Sequence, residues 1–173
     1  VRAMPVTRHY HPEVLNTDTP TKRIISALSH FFTESENSCT DENIGMNILF
    51  YGLPGTGKTE FAKYIGNLFS RDIHIKRYSD LASKWLGETE NNIALAFRHA
   101  EQTDKILFID EADSFFTYRN GARASWEVSR TNEMLTQMDN FHGVFICCTN
   151  LKRLLDDAVL RRFSFKIEFK PLR

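Results

Sequence analysis

No stretch of this 173-residue chain approaches the roughly 20 consecutive apolar residues that a membrane-spanning helix requires. Its opening residues, "VRAMPVTRHYHPE", are polar and carry prolines, so they do not read as a secretory leader. Cysteine is scarce. Cys39, Cys147 and Cys148 are two neighbours and one distant residue, which is no disulfide framework; buried, reduced thiols and a cytoplasmic setting are expected. An excess of either charge is missing as well: 22 basic and 22 acidic residues give a formal net charge of zero. Non-specific nucleic-acid binders carry a basic surplus, so nucleic acid is not an expected partner. The six histidines are scattered and share no metal-ligand spacing with a cysteine or carboxylate, so structural or surface roles are expected of them.

What is present is a chain of one-domain length, with hydrophobic residues at 42%, enough to bury a sizeable core. Residues 1–19 read as an extended arm broken by Pro5 and Pro12. A helix follows, with Thr19 as its N-cap and Pro20 in its first turn; Ile24, Ile25, Leu28, Phe31 and Phe32 form its apolar face. Residues 33–45 are polar and read as a loop. Short apolar runs at 46–51, 73–78, 105–110, 143–150 and 165–169 read as strands, and the segments at 58–69, 90–102, 127–139 and 156–163 as helices. This alternation predicts an α/β fold: a parallel five-stranded sheet with helices on both faces.

Three strand ends carry chemistry. The first is "GLPGTGKT", residues 52–59, which has the spacing of a P-loop and lies between a predicted strand and a predicted helix. Glycines there let backbone N–H groups curl around a phosphate, and the helix N-terminus adds unpaired donors and partial positive charge. Gly52, Pro54, Gly55, Thr56, Gly57, Lys58, Thr59 and Glu60 form this candidate nucleotide site. Lys58 suits the outer phosphates and the Thr59 hydroxyl suits Mg²⁺. The second is "ILFIDEAD", residues 106–113, an apolar strand ending in carboxylates. Beside a P-loop, Asp110 fits a Mg²⁺-directed carboxylate and Glu111 a group that polarises the attacking water. Asp113 reads as structural. The third is "FICCTN", residues 145–150, whose Asn150 either orients that water or is a turn residue.

Together with "LLDDAVLRRF" (154–163), these segments resemble the AAA+ ATPases in order and spacing, in the branch of protein-remodelling enzymes that includes spastin and katanin. The resemblance covers roughly residues 46–170. It implies the large α/β subdomain of that family and binding and hydrolysis of ATP with Mg²⁺. It also implies self-association into a ring, expected to be a hexamer, acting on a protein substrate. Asn150 takes the family's sensor-1 position. Arg161 and Arg162 match its arginine fingers, which reach a neighbouring subunit's site; which of the two acts is left open by "RRFSFKIEF", which lacks the glycine-containing spacer of many relatives. "SDLASKWLGETENNI" (79–93) is similar to the segment that grips a threaded polypeptide, through Lys84, Trp85 and Leu86; Trp85 either grips in this way or anchors its loop in the core. Residues 117–127, with Arg119, Arg123 and Trp126, read as a second central loop. The expected division is an arm, helix and polar loop over 1–45 and the nucleotide-binding core over 46–173. The family's C-terminal helical lid is absent, so a fragment of a longer protein is expected. The alternative activity is an ATP-dependent switch with little turnover, which the intact Glu111 argues against.

Overall fold

The computed structural model describes residues 10–37, 45–116, 125–150, 155 and 157–171. The arm contributes a short 3₁₀ turn, Pro12–Val14, and a two-residue strand β1 (Asn16–Thr17). Then come α1 (Thr21–Asn37), β2 (Met46–Gly52), α2 (Lys58–Leu68), β3 (Ile73–Arg77), α3 (Tyr78–Leu81) and α4 (Glu88–Gln102). The chain continues through β4 (Ile106–Asp110), a 3₁₀ turn at Ala112–Phe115, α5 (Ser125–Asn140), β5 (Val144–Thr149), α6 (Asp157–Leu160) and β6 (Phe165–Lys170).

The strands form one sheet in the order β1-β6-β2-β5-β4-β3. All neighbours are parallel except β1, which runs antiparallel to β6. Among the described residues the sheet therefore has six strands, not the expected five. β1 is too short to show an alternating pattern, and long-range contacts from polar side chains hold it: Asp18 Oδ1 accepts the Glu168 N–H at 2.8 Å and Asn16 Nδ2 donates to the Pro171 carbonyl at 2.9 Å.

Central strands with both faces covered are continuously apolar, and the four middle residues of β2 and all of β5 are buried. Alternate side chains feed two cores. Leu49, Leu107, Ile109, Phe145 and Cys147 pack with Ile93, Phe97, Met134 and Met138 of α4 and α5. Ile48, Phe50, Phe108, Ile146 and Cys148 pack on the other face with Ile24 and Leu28 of α1 and Phe61 and Ile65 of α2. Cys147 and Cys148 are free, fully buried thiols, and burial pushes both well above the usual thiol pKa. Cys39 lies outside the described residues.

Several boundaries differ from the expectation. α1 starts at Thr21, just after Pro20, whose carbonyl accepts the Arg23 N–H at 3.0 Å. It runs on to Asn37 through residues expected to be loop, helped by the His30–Glu34 pair one turn apart. Tyr78 opens the one-turn α3 instead of ending β3, because the Asp80 carboxylate accepts the Arg77 N–H at 2.8 Å and caps a helix there. Among the described residues the helix expected over 156–163 is regular only at Asp157–Leu160, with 161 and 162 in the turn that follows.

On the edge strand β3, the His74 ring lies 4.6 Å from that of His99 in α4. Burial, with the nearby charges of Lys76, His99 and Lys105, pushes the His74 pKa down to about 4. The unfolded chain then takes up this proton first, near pH 6.5. The stabilisation is complete above that pH and is lost as pH falls towards 4. Thermal melts should show a smaller drop in Tm between pH 7 and pH 5 for His74→Gln than for the unaltered protein. Equal drops would mean that His74 does not carry the effect.

Candidate functional site

The site forms where the C-terminal ends of β2, β4 and β5 meet, which is where parallel α/β sheets place ligands. β2 ends at Gly52, with φ 138°. A Cβ there would lie 2.1 Å from the Phe169 carbonyl oxygen of β6, so only glycine lets the chain leave the sheet at this point. The loop then curls through Gly55 (φ 77°) and Gly57 (φ 91°) into α2. The Thr56 hydroxyl donates to the Leu53 carbonyl at 2.8 Å and braces the curl. A Cβ on Gly57 would meet Leu15 at 3.0 Å, so the arm passes directly beside the loop.

Lys58 is buried at the base of the loop, 7% exposed. Its Nζ donates to the carbonyls of Gly52 (2.7 Å) and Leu53 (2.9 Å) and to Asn150 Oδ1 (3.1 Å). Burial lowers its pKa, and the carboxylates of Asp110 and Asp113 oppose that shift. The Thr59 hydroxyl donates to Asp110 Oδ2 at 3.4 Å. Asp110 Oδ1 accepts the N–H of Glu111, which sits exposed with φ 57° and ψ 37°. A non-glycine residue in this left-handed region is uncommon and carries backbone strain, and such positions cluster at functional sites. The Thr149 hydroxyl donates to Asp113 Oδ1, joining the tip of β5 to the turn after β4. The structural role expected of Asp113 has this physical basis.

Pro54, Gly55, Gly57, Lys58, Thr59, Glu60, Asp110, Glu111 and Asn150 line one open cleft of about 360 Å³. Gly52 and Thr56 shape the loop behind that lining. Glu60 pairs with Lys63 at 2.7 Å.

The arginines lie elsewhere. The Arg162 carbonyl accepts from Asn47, the second residue of β2, and its guanidinium pairs with Asp139 in the last turn of α5. Both contacts are at the N-terminal ends of the strands. Gly52 is five residue steps along β2 from Asn47, about 17 Å at the strand rise. The structure does not bring Arg161 and Arg162 to their own chain's cleft.

Lys84, Trp85 and Leu86 stand out from the loop between α3 and α4. Trp85 is 77% exposed and Leu86 91% exposed, so Trp85 is no core anchor. The base of the loop is tied tightly. Ser83 accepts from the Trp85 N–H at 3.2 Å, bonds Glu88, and donates its own N–H to Thr89 at 2.9 Å. Trp85 and Leu86 thus present two solvated apolar side chains from a tied loop. The second loop, with Arg119, Arg123 and the side chain of Trp126, falls outside the described residues.

The sequence matches the model of the "ATPase family associated with various cellular activities (AAA)" over residues 48–171. The chain belongs to the AAA ATPases. It is 40% identical over 146 residues to the 26S proteasome regulatory subunit 6B homologue of Saccharomyces cerevisiae, covering 76% of this chain and 34% of that protein. It is 36% identical to the cell division cycle protein 48 homologue of Archaeoglobus fulgidus, over 66% of this chain and 16% of that protein. To the vacuolar protein sorting-associated protein 4 of Dictyostelium discoideum it is 35% identical, over 69% of this chain and 28% of that one. The chain spans about a third or less of the length of these relatives. The family assignment gives it a core of P-loop architecture.

In this AAA chain, four residues that support the cleft or the arginine pair escaped sequence reasoning. Leu15 borders the loop, Thr149 holds Asp113, and Asn47 and Asp139 hold Arg162. Only one signal was available: an asparagine, Asn47, inside an apolar strand, since a buried amide needs partners.

Proposed function

We propose that the chain is the nucleotide-binding core of a ring-forming, hexameric AAA ATPase that uses Mg²⁺-ATP hydrolysis to remodel or thread a protein substrate in the cytoplasm. The observation that carries this reading is the separation of the cleft from the arginines. A P-loop site with its carboxylates in place lies at one end of the strands, and an arginine pair at the other. A head-to-tail contact between subunits brings the two ends together, and such contacts form rings when the rotation from one subunit to the next closes.

The residues fit ATP and Mg²⁺. The loop N–H groups and the N-terminus of α2 face the cleft as phosphate donors. Thr59 and Asp110 present two oxygens close enough to hold one hard cation, directly or through water. A Mg²⁺ held there would neutralise charge on the phosphates. Lys58 trades the Gly52 and Leu53 carbonyls for phosphate oxygens. Glu111 accepts the proton of the attacking water, Asn150 orients that water, and an arginine from the neighbour's 161–162 pair stabilises charge on the transferring group. The exposed Trp85, flanked by Lys84 and Leu86, grips extended polypeptide without reading its sequence.

ATP turnover per subunit of the full-length protein should climb with protein concentration as sites are completed. A near-zero rate flat with concentration, with ATP still bound, would favour the switch reading. Trp85→Ala should weaken the half-maximal concentration of an unfolded polypeptide that stimulates turnover by about 30-fold, the effect of losing one aromatic anchor. Its Tm should hold, because the ring is solvated. An unshifted stimulation curve would remove Trp85 from substrate contact.

A further inference from the structure

Arg161 and Arg162 are adjacent in sequence and held in opposite ways. Arg162 Nε donates to both oxygens of Asp139, at 2.9 and 3.0 Å, and Nη1 donates to the Ala158 carbonyl at 2.9 Å. The Arg162 carbonyl accepts from Asn47 Nδ2 at 3.2 Å, and the same amide donates to the Met138 carbonyl at 3.2 Å. Asn47 is 7% exposed. These bonds join the start of β2, the last turn of α5 and the turn after α6 at one point. Arg161 is exposed, and its side chain makes no hydrogen bond or ion pair among the described residues. Its backbone is fixed: the Arg161 N–H closes the end of α6 on Asp157 at 3.0 Å.

We infer that the two arginines divide the work, Arg162 staying in its own subunit as a positioning residue and Arg161 alone being presented to the neighbouring subunit's nucleotide. Asn47 and Asp139 act with Arg162 as positioning residues. The inference rests on the shared-site reading above. A guanidinium has five donors in a fixed fork, and Arg162 holds two of them in its own subunit, the Nε–H shared between the two Asp139 oxygens and one Nη1–H on the Ala158 carbonyl, which fixes the orientation of the fork. Turning it to a phosphate would break those bonds and release the turn after α6 from α5. Among the described residues nothing holds the Arg161 fork, so turning it to a phosphoryl group breaks no described bond and costs water and rotamer freedom. Pinning the adjacent backbone limits how much freedom remains to be lost when it docks.

The test is steady-state ATPase of the full-length protein, with Tm measured on each variant. Arg161→Ala should slow turnover about 10³-fold without lowering Tm. Arg162→Ala and Asp139→Asn should behave alike, lowering Tm and slowing turnover about 10- to 100-fold through misplacement of Arg161. Each variant is then mixed with Glu111→Gln subunits, which lack a working cleft but keep their arginines. Arg161→Ala regaining activity on mixing supports the shared site. Asp139→Asn regaining activity shows that its defect lies in what it presents to a neighbour; damage to its own cleft would not be relieved. The division of roles is overturned if Arg162→Ala abolishes turnover while Asp139→Asn, which releases Arg162, leaves turnover unchanged or faster. It is overturned also if Arg161→Ala keeps more than about a tenth of the rate. If mixing Arg161→Ala with Glu111→Gln restores nothing, the shared site itself falls, and the division with it.

Discussion

Glu111→Gln is expected to slow ATP hydrolysis by about 10²–10⁴-fold while leaving ATP binding within a few-fold of the unaltered protein. Glutamine has nearly the shape of glutamate but cannot take a proton from water. The binding groups lie on other elements: the loop over 52–59, the α2 N-terminus and Asp110. The backbone of Glu111 also argues for a role beyond packing. It occupies the left-handed region, which costs a non-glycine residue about 1–2 kcal/mol, and its side chain is solvated, so no core contact offsets that cost. Phosphate release measured beside a fluorescent-nucleotide titration separates the two effects. Retention of more than about a tenth of the turnover would assign proton acceptance to another group.

The strands bearing the chemistry were legible because they lie at the centre of the sheet. β2, β4 and β5 are covered on both faces, so their sequences are apolar runs, interrupted only by Asn47 in β2, that stop where function begins, at Gly52, Asp110 and Asn150. The P-loop was legible because its geometry depends on glycines a few residues apart. β1 was not, since two residues cannot show a period and its partner β6 lies some 150 residues on. The end of α1 misled because residues 33–37 are polar, and an (i, i+4) pair sustains that helix without an apolar stripe. The arrangement around the arginines was hidden for a related reason. Asn47, Asp139 and Arg162 meet across separations of 115 and 23 residues, and a sequence motif records none of those contacts. For Trp85 the loop setting pointed to exposure and the usual burial of tryptophan pointed the other way; the fold shows that nothing within the described chain covers it.

Lys58→Met should weaken ATP binding by about 10- to 100-fold, the loss of charge-assisted bonds to phosphate, with little change in Tm. The two readouts diverge because of where the ammonium sits. It is buried at the base of the loop, and that burial lowers its pKa, so the protein holds the charge there at a cost to the free state. Methionine keeps the length of the stem and removes the desolvated charge. The carbonyls left behind at Gly52 and Leu53 belong to residues that are partly or largely exposed, so water replaces the lost donors. A nucleotide reverses the balance: its phosphates favour the charged lysine, and the group that strains the free protein holds the bound one. Isothermal titration with a non-hydrolysable ATP analogue and a thermal melt of the free protein measure both sides. A fall in Tm of more than about 5 °C, roughly 1–2 kcal/mol for a chain of this size, would show that Lys58 holds the loop in shape as well as the phosphates.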